Sequence, residues 1–192
     1  MPLPQDPNRR ALMATLAALP LGASAQAHKE QRVLVAYFSR TGNTRVVAGL
    51  IQRAHGADMF EIRPTTPYPE EYLATVEQAR QERDKGFQPP LAALAPNMNQ
   101  YGTVFLGFPI WGETVPPVIR SFLAAHDLAG KVLIPFVTHG GYGLGKSESV
   151  LTTLAPKALL RKGFVMEGEQ ERRTMDRVTD WLKRVSTITK NP

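Results

Sequence analysis

Arg32-Val33-Leu34-Val35-Ala36-Tyr37-Phe38, then Ser39-Arg40-Thr41-Gly42-Asn43-Thr44, then a segment carrying Val46, Val47, Leu50, Ile51 and Ala54, is the stretch that decides the fold. The first seven residues are almost continuously apolar, the pattern of a parallel strand covered on both faces. The apolar residues after Thr44 recur at helical spacing, so a helix follows with those five on its inner side. The six residues between hold three hydroxyls and a glycine at a helix N-terminus. Free backbone N–H groups and the positive end of the helix dipole favour an anion there. An ordinary N-cap needs one such side chain, not a cluster.

The same unit repeats outward. Short strands are expected at Met59 to Ile62, Thr103 to Phe108, Val132 to Thr138 and Gly163 to Met166. Helices are expected over Glu70 to Lys85, after Pro116-Pro117 with Val118, Ile119, Phe122 and Leu123 inward, after Gly145, and at the end with Met175, Val178, Trp181, Leu182 and Val185 inward. Gly86 to Asn99, with three prolines, reads as a long irregular connection. Five strand–helix alternations describe an α/β domain, an open parallel sheet with helices on both faces. Ligands in such sheets bind beyond the carboxyl ends of the strands, where three glycine- or aromatic-rich loops leave.

The pattern S-x-T-G-x-T at Ser39 to Thr44 resembles the phosphate loop of flavodoxins, which bind flavin mononucleotide (FMN). Tyr68-Pro69-Glu70-Glu71-Tyr72, Gly107-Phe108-Pro109-Ile110-Trp111 and Thr138-His139-Gly140-Gly141-Tyr142-Gly143-Leu144-Gly145 resemble a flavodoxin-domain subfamily, and the similarity runs from about His28 to Val185. The resemblance implies a five-stranded sheet in the order 2-1-3-4-5 and FMN as cofactor. It implies that Ser39, Thr41, Gly42, Asn43 and Thr44 hold the phosphate and that Trp111 covers one flavin face. Tyr142 would cover the other face, with an exposed loop tyrosine as the equally simple alternative. Pro109, Ile110, Trp111 and Gly112, with His139, Gly140 and Gly141, would meet the polar edge of the ring. Relatives often carry a second aromatic where this chain has Gly112, and a small Ser where it has His139 and Tyr142.

Composition narrows the chemistry. The 192 residues contain no Cys, which removes disulfides, thiolate metal sites and thiol nucleophiles, so redox chemistry must come from a cofactor. The formal charge is +6, but the 23 Lys and Arg are scattered, without the aromatic-interleaved basic stripe of a nucleic-acid binder. Electron-carrying flavodoxins are typically acidic around the ring, so this chain's redox partner is expected to differ.

Residues 1–27 have the layout of an export signal: Asn8-Arg9-Arg10, an uncharged Ala-rich run, and small-residue cleavage sites after Ala25 or Ala27. The paired arginines resemble a twin-arginine signal, which implies a periplasmic address. The expected organisation is therefore signal 1–27 and flavin domain 28–192, carrying +5 after cleavage, with no stable membrane insertion.

Gly140 to Ser147 formally fits the nucleotide P-loop, G-x-x-x-x-G-K-[ST]. The strands ending at Phe38, Phe108 and Thr138 supply no acidic metal ligand, so a flavin-ring loop is the better reading. The four His lack metal-ligand spacing; His139 alone lies in a functional loop, where a turn role competes with a hydrogen bond to flavin. No catalytic residue and no metal site is assigned. The expected function is electron transfer by an exported flavoprotein working with a redox partner protein. An NAD(P)H-dependent flavin or quinone reductase is the alternative enzyme, and a flavin-free interaction domain is a third class.

Overall fold

The computed structural model describes residues 32–168 and 177–185. The signal-like residues 1–27 and Met175 lie outside them. Six strands form one parallel sheet: β1 Arg32–Tyr37, β2 Asp58–Glu61, β3 Tyr101–Pro109, β4 Val132–His139, β5 Leu159–Leu160 and β6 Phe164–Glu167. The order is β2-β1-β3-β4-β5, with β6 also on β4.

The expected fifth strand is thus two pieces, for a reason that lies in β4. Leu133 O accepts from Arg161 N on the edge side, and residues two apart point the same way, so Pro135 also faces that edge. It has no N–H to offer. Pairing stops at Leu133–Leu160 and resumes at Phe136–Phe164.

Alternation along the strands divides the core into two layers. Leu34, Ala36, Val104, Leu106 and Phe108 face one side, where α3 (Pro117–Ala125) and α4 (Ser147–Leu154) pack through Val118, Ile119, Phe122 and Leu151. Val35, Tyr37, Phe105, Ile134 and Phe136 face the other, covered by α1 (Asn43–His55) and by a last helix α5 over 177–185. Burying a large apolar side chain contributes about 1.5–3 kcal/mol. Val178, Trp181, Leu182 and Val185 are buried as expected. In α1 the inward face is Thr44, Val47, Ala48 and Ile51, whereas Val46 and Ala54 are exposed, because the helix is rotated so that its buried stripe begins at Thr44.

The helix α2 (Tyr72–Asp84) lies against α3 and not on the sheet. Its N-terminus is capped by Glu71, whose carboxylate accepts from the N–H groups of Leu73 and Ala74 and is held below its ordinary pKa by those bonds. The long connection folds back on the chain after β2: Thr65 N donates to Pro90 O, and Ala92 N to Arg63 O. His126, at the end of α3, ties it down. Its Nε2 accepts from Ala95 N at 2.9 Å while its Nδ1 lies 2.8 Å from Phe122 O.

Candidate functional site

A cleft of about 750 Å³ opens at the carboxyl ends of β1, β3, β4 and β6, within the ~300–1,000 Å³ of small-molecule sites. Of the residues singled out from sequence, all line it except Ser39, Gly42 and Gly141. A second hollow of about 660 Å³ lies beside Gln78, Lys85 and Phe87, away from the strand ends.

The β1–α1 loop forms one end of the cleft through Arg40, Thr41, Asn43 and Thr44. α1 begins at Asn43 and its first backbone bond runs from Val46 N to Gly42 O, so the N–H groups at the start of the helix have no acceptor within it. Ser39 shapes this loop from behind: its Oγ accepts from Gly42 N at 3.2 Å and Arg45 N at 3.3 Å. Thr44 is buried and its hydroxyl meets that of Thr138, at the end of β4. Arg40 lies over the Tyr72 ring, 5.9 Å from its centroid, and donates to Glu70 O.

The loop after β3 is a tight turn closed by Trp111 N to Thr114 O and Thr114 N to Trp111 O. Its central residues, Gly112 and Glu113, both have positive φ, at 55° and 63°, the signature of a type I′ turn. Trp111 is half-buried, meeting Phe38 (5.2 Å, 87°) and Tyr68 (4.8 Å, 88°) edge-on. It is therefore both a cleft residue and part of the core. Tyr68 is itself fixed: its hydroxyl donates to Glu82 Oε2 at 2.8 Å, and Gln78 holds the other oxygen. Burial and that carboxylate push the Tyr68 pKa far up, so it stays a donor.

The loop after β4 contributes His139, Gly140 and Tyr142, the last 71% exposed. His139 Nδ1 accepts from Gly141 N at 2.9 Å, a bond internal to the turn. The P-loop-like end of this segment does not present an anion cradle. Lys146 N donates to Glu113 O at 2.7 Å, and Ser147 Oγ donates to Leu144 O. A Cβ at Gly145 would stand 2.2 Å from Glu113 O, so glycine there lets the two loops join.

Several cleft residues escaped the sequence reading. Arg40 is the first variable position of the phosphate-loop pattern. Tyr72, Val76, Arg80 and Arg83 form a stripe of α2 facing the cleft; their helical spacing is visible in sequence, but polar and apolar members mix, as on a solvated face. Thr114 is 7% exposed, lines the cleft, and its Oγ1 is buried without a hydrogen-bond partner. Glu113 and Glu167 are its acidic members. Among the described residues no cluster of His, Asp or Glu suits a metal ion, and no helix is long and apolar enough to cross a membrane.

A family model described as flavodoxin matches residues 32–185. A protein from Bacteroides eggerthii, classed provisionally as a flavoprotein, is 30% identical with a TM-score of 0.70, covering 81% of this chain and 98% of its own. One from Bacteroides uniformis, classed the same way, is 30% identical at TM-score 0.68, covering 77% and 97%. A flavoprotein from Lactobacillus acidophilus, solved in complex with FMN, shares the fold at 18% identity and TM-score 0.61, covering 76% and 99%. No curated protein matches.

Proposed function

This chain belongs to the flavodoxin family, and from that premise we propose that it binds FMN in the cleft and passes electrons through it. The observation that carries the reading is the convergence on one cleft of a hydroxyl-lined helix N-terminus with Trp111 and Tyr142. A similar fold binds FMN in the Lactobacillus acidophilus flavoprotein.

The residues present fit the cofactor. Thr41, Asn43 and Thr44 hold the phosphate with the N–H groups of the first turn of α1, while Ser39 and Gly42 set the loop's shape. The helix dipole contributes only about 0.3–1 kcal/mol, up to ~2 when partly buried, so converging hydrogen bonds do most of the holding. Trp111, braced by Phe38 and Tyr68, offers a fixed flavin face, and Tyr142, exposed and unbraced, closes over the other. Backbone groups of Pro109 to Gly112 and of His139 to Gly141 meet the ring's polar edge. The Thr114 hydroxyl, unpartnered and buried beside Trp111, is satisfied by a ligand in the cleft. The bound flavin supplies reversible electron exchange; the protein supplies position and exclusion of water.

The partner in this reading is a separate redox protein, and residues 1–27 send the chain to the periplasm. Purified full chain is expected to be yellow and to keep flavin through desalting; colourless protein that takes up no added FMN overturns the reading. Anaerobic mixing with reduced nicotinamide then separates carrier from reductase: slow or absent bleaching identifies the carrier, and rapid bleaching the enzyme.

A further inference from the structure

The wall of the cleft opposite the strand ends is α2, and its composition changes along its length. Tyr72 and Val76, 64% and 46% exposed, offer apolar surface near the phosphate loop, while Arg80 and Arg83 add two cationic side chains to the cleft that the turn after Trp111 also lines. Arg83 reaches that turn directly: its Nη1 stands 2.3 Å from where a Cβ of Gly112 would be. Any side chain at position 112 would displace it, and the left-handed φ of 55° is the second reason that glycine sits there. The space beside Trp111 is thus given to a cation.

The carboxylates paired with these arginines are Glu77 and Asp84, exposed on the same helix. Glu77 holds Arg80 in a two-pronged pair, Nε to Oε2 at 3.0 Å and Nη2 to Oε1 at 2.8 Å, whereas Arg83 meets a single oxygen of the exposed Asp84; a surface pair of the latter kind is worth little. Glu113 and Glu167 also line the cleft, but they come from the turn after β3 and the end of β6, not from this wall. The buried Thr114 hydroxyl, in the same turn, lies where this wall meets the rest of the cleft.

We propose that the α2 wall is a subsite for an aromatic carboxylate, whose ring lies on Tyr72 and Val76 and whose carboxylate is taken by Arg83. The proposal rests on the flavin reading above, since it places this ligand in the same cleft, beside the Trp111 turn. The planar fork of Arg suits a carboxylate better than an ammonium does.

The test uses the full chain and two probes of the same shape, 2-naphthoate and uncharged 2-naphthamide. FMN uptake is measured first by absorbance, and each probe is then titrated calorimetrically into the FMN-loaded protein. The expected result is that naphthoate binds about tenfold or more tightly than naphthamide. R83Q is expected to level the two, and R83K to retain part of the preference. Equal affinities for acid and amide, no binding of either, or an unchanged preference in R83Q overturns the subsite. Failure in the first step, with no FMN taken up, overturns the flavin reading and the subsite with it.

Discussion

The hydroxyls of Thr44 and Thr138 lie 2.9 Å apart in the core, joining the first turn of α1 to the last residues of β4. These residues are 94 positions apart in the chain, and their bond sets the phosphate loop against the loop that carries His139 and Tyr142. Each hydroxyl is the other's partner, so removing one strands the other. T44V and T138V are each expected to lower stability by about 1–3 kcal/mol, with the double variant costing clearly less than the sum. Urea denaturation checks this; strict additivity would sink the idea that the pair acts as a unit.

Trp111 and Tyr142 separate packing from ligand contact. W111A removes a half-buried ring braced by Phe38 and Tyr68, and is expected to cost about 1–3 kcal/mol of stability, below the ~3–5 kcal/mol of a fully buried aromatic. Y142A is expected to leave stability within ~0.5 kcal/mol. Both should weaken FMN, Tyr142 by the ~0.5–1.5 kcal/mol of one stacked ring. Melting curves with and without FMN give both quantities, and a Y142A protein with unchanged FMN affinity would return this residue to the status of an exposed loop tyrosine.

Gly145→Ala places a methyl group 2.2 Å from Glu113 O. It also forces alanine into a left-handed conformation that alone costs about 1–2 kcal/mol. The variant is expected to break the Lys146–Glu113 bond, lower the melting temperature and weaken FMN binding together, because the turn carrying Trp111 is anchored there. Unchanged melting would show that the two loops are not coupled.

Acidification is expected to reduce stability in two windows. Burial lowers the His55 pKa from its ordinary 6.5, so the unfolded chain takes the proton more readily, and stability is lost as pH falls below about 6.5. For Glu61 burial works upward, but the hydrogen bonds from Arg45 and Arg63 outweigh it and the pKa is lowered. Its contribution is present above the ordinary 4.5 and is lost as pH falls below that value. H55L should remove the first window and leave the second, as read from melting temperature against pH.

On the proposed export reading, replacing Arg9 and Arg10 by Lys is expected to keep the full-length chain unprocessed in the cytoplasm, and the unaltered chain is expected to be shortened and periplasmic. Fractionation with immunoblotting checks this, and normal processing of the double variant would remove the twin-arginine reading.

The sheet was legible because strands buried on both faces must be apolar at nearly every position, as Arg32 to Phe38 and Thr103 to Phe108 are. The three loops were legible because their residue types are unusual for plain connections. Other features depend on tertiary placement. Pro135 stands in plain view, but that its missing N–H faces the edge strand is a matter of register. Val46 and Val47 are identical in type, and only the rotation of α1 on the sheet buries one of them. The α2 wall resembles any solvated helix until its seat against α3 turns one stripe towards the cleft. Trp111 reads as a loop residue from its neighbours Pro109, Gly112 and Glu113, yet its contacts with Phe38 and Tyr68 come from distant segments, and no local pattern announces them.

The interruption opposite Pro135 also bears on self-association. An open parallel sheet ends in a strand whose outer N–H and C=O groups can template a strand from another molecule. Here that border is cut into pieces of two and four residues, too short to offer an unbroken row of donors and acceptors. A proline inside β4 therefore guards the sheet one strand away from itself, discouraging edge-to-edge aggregation of the folded protein.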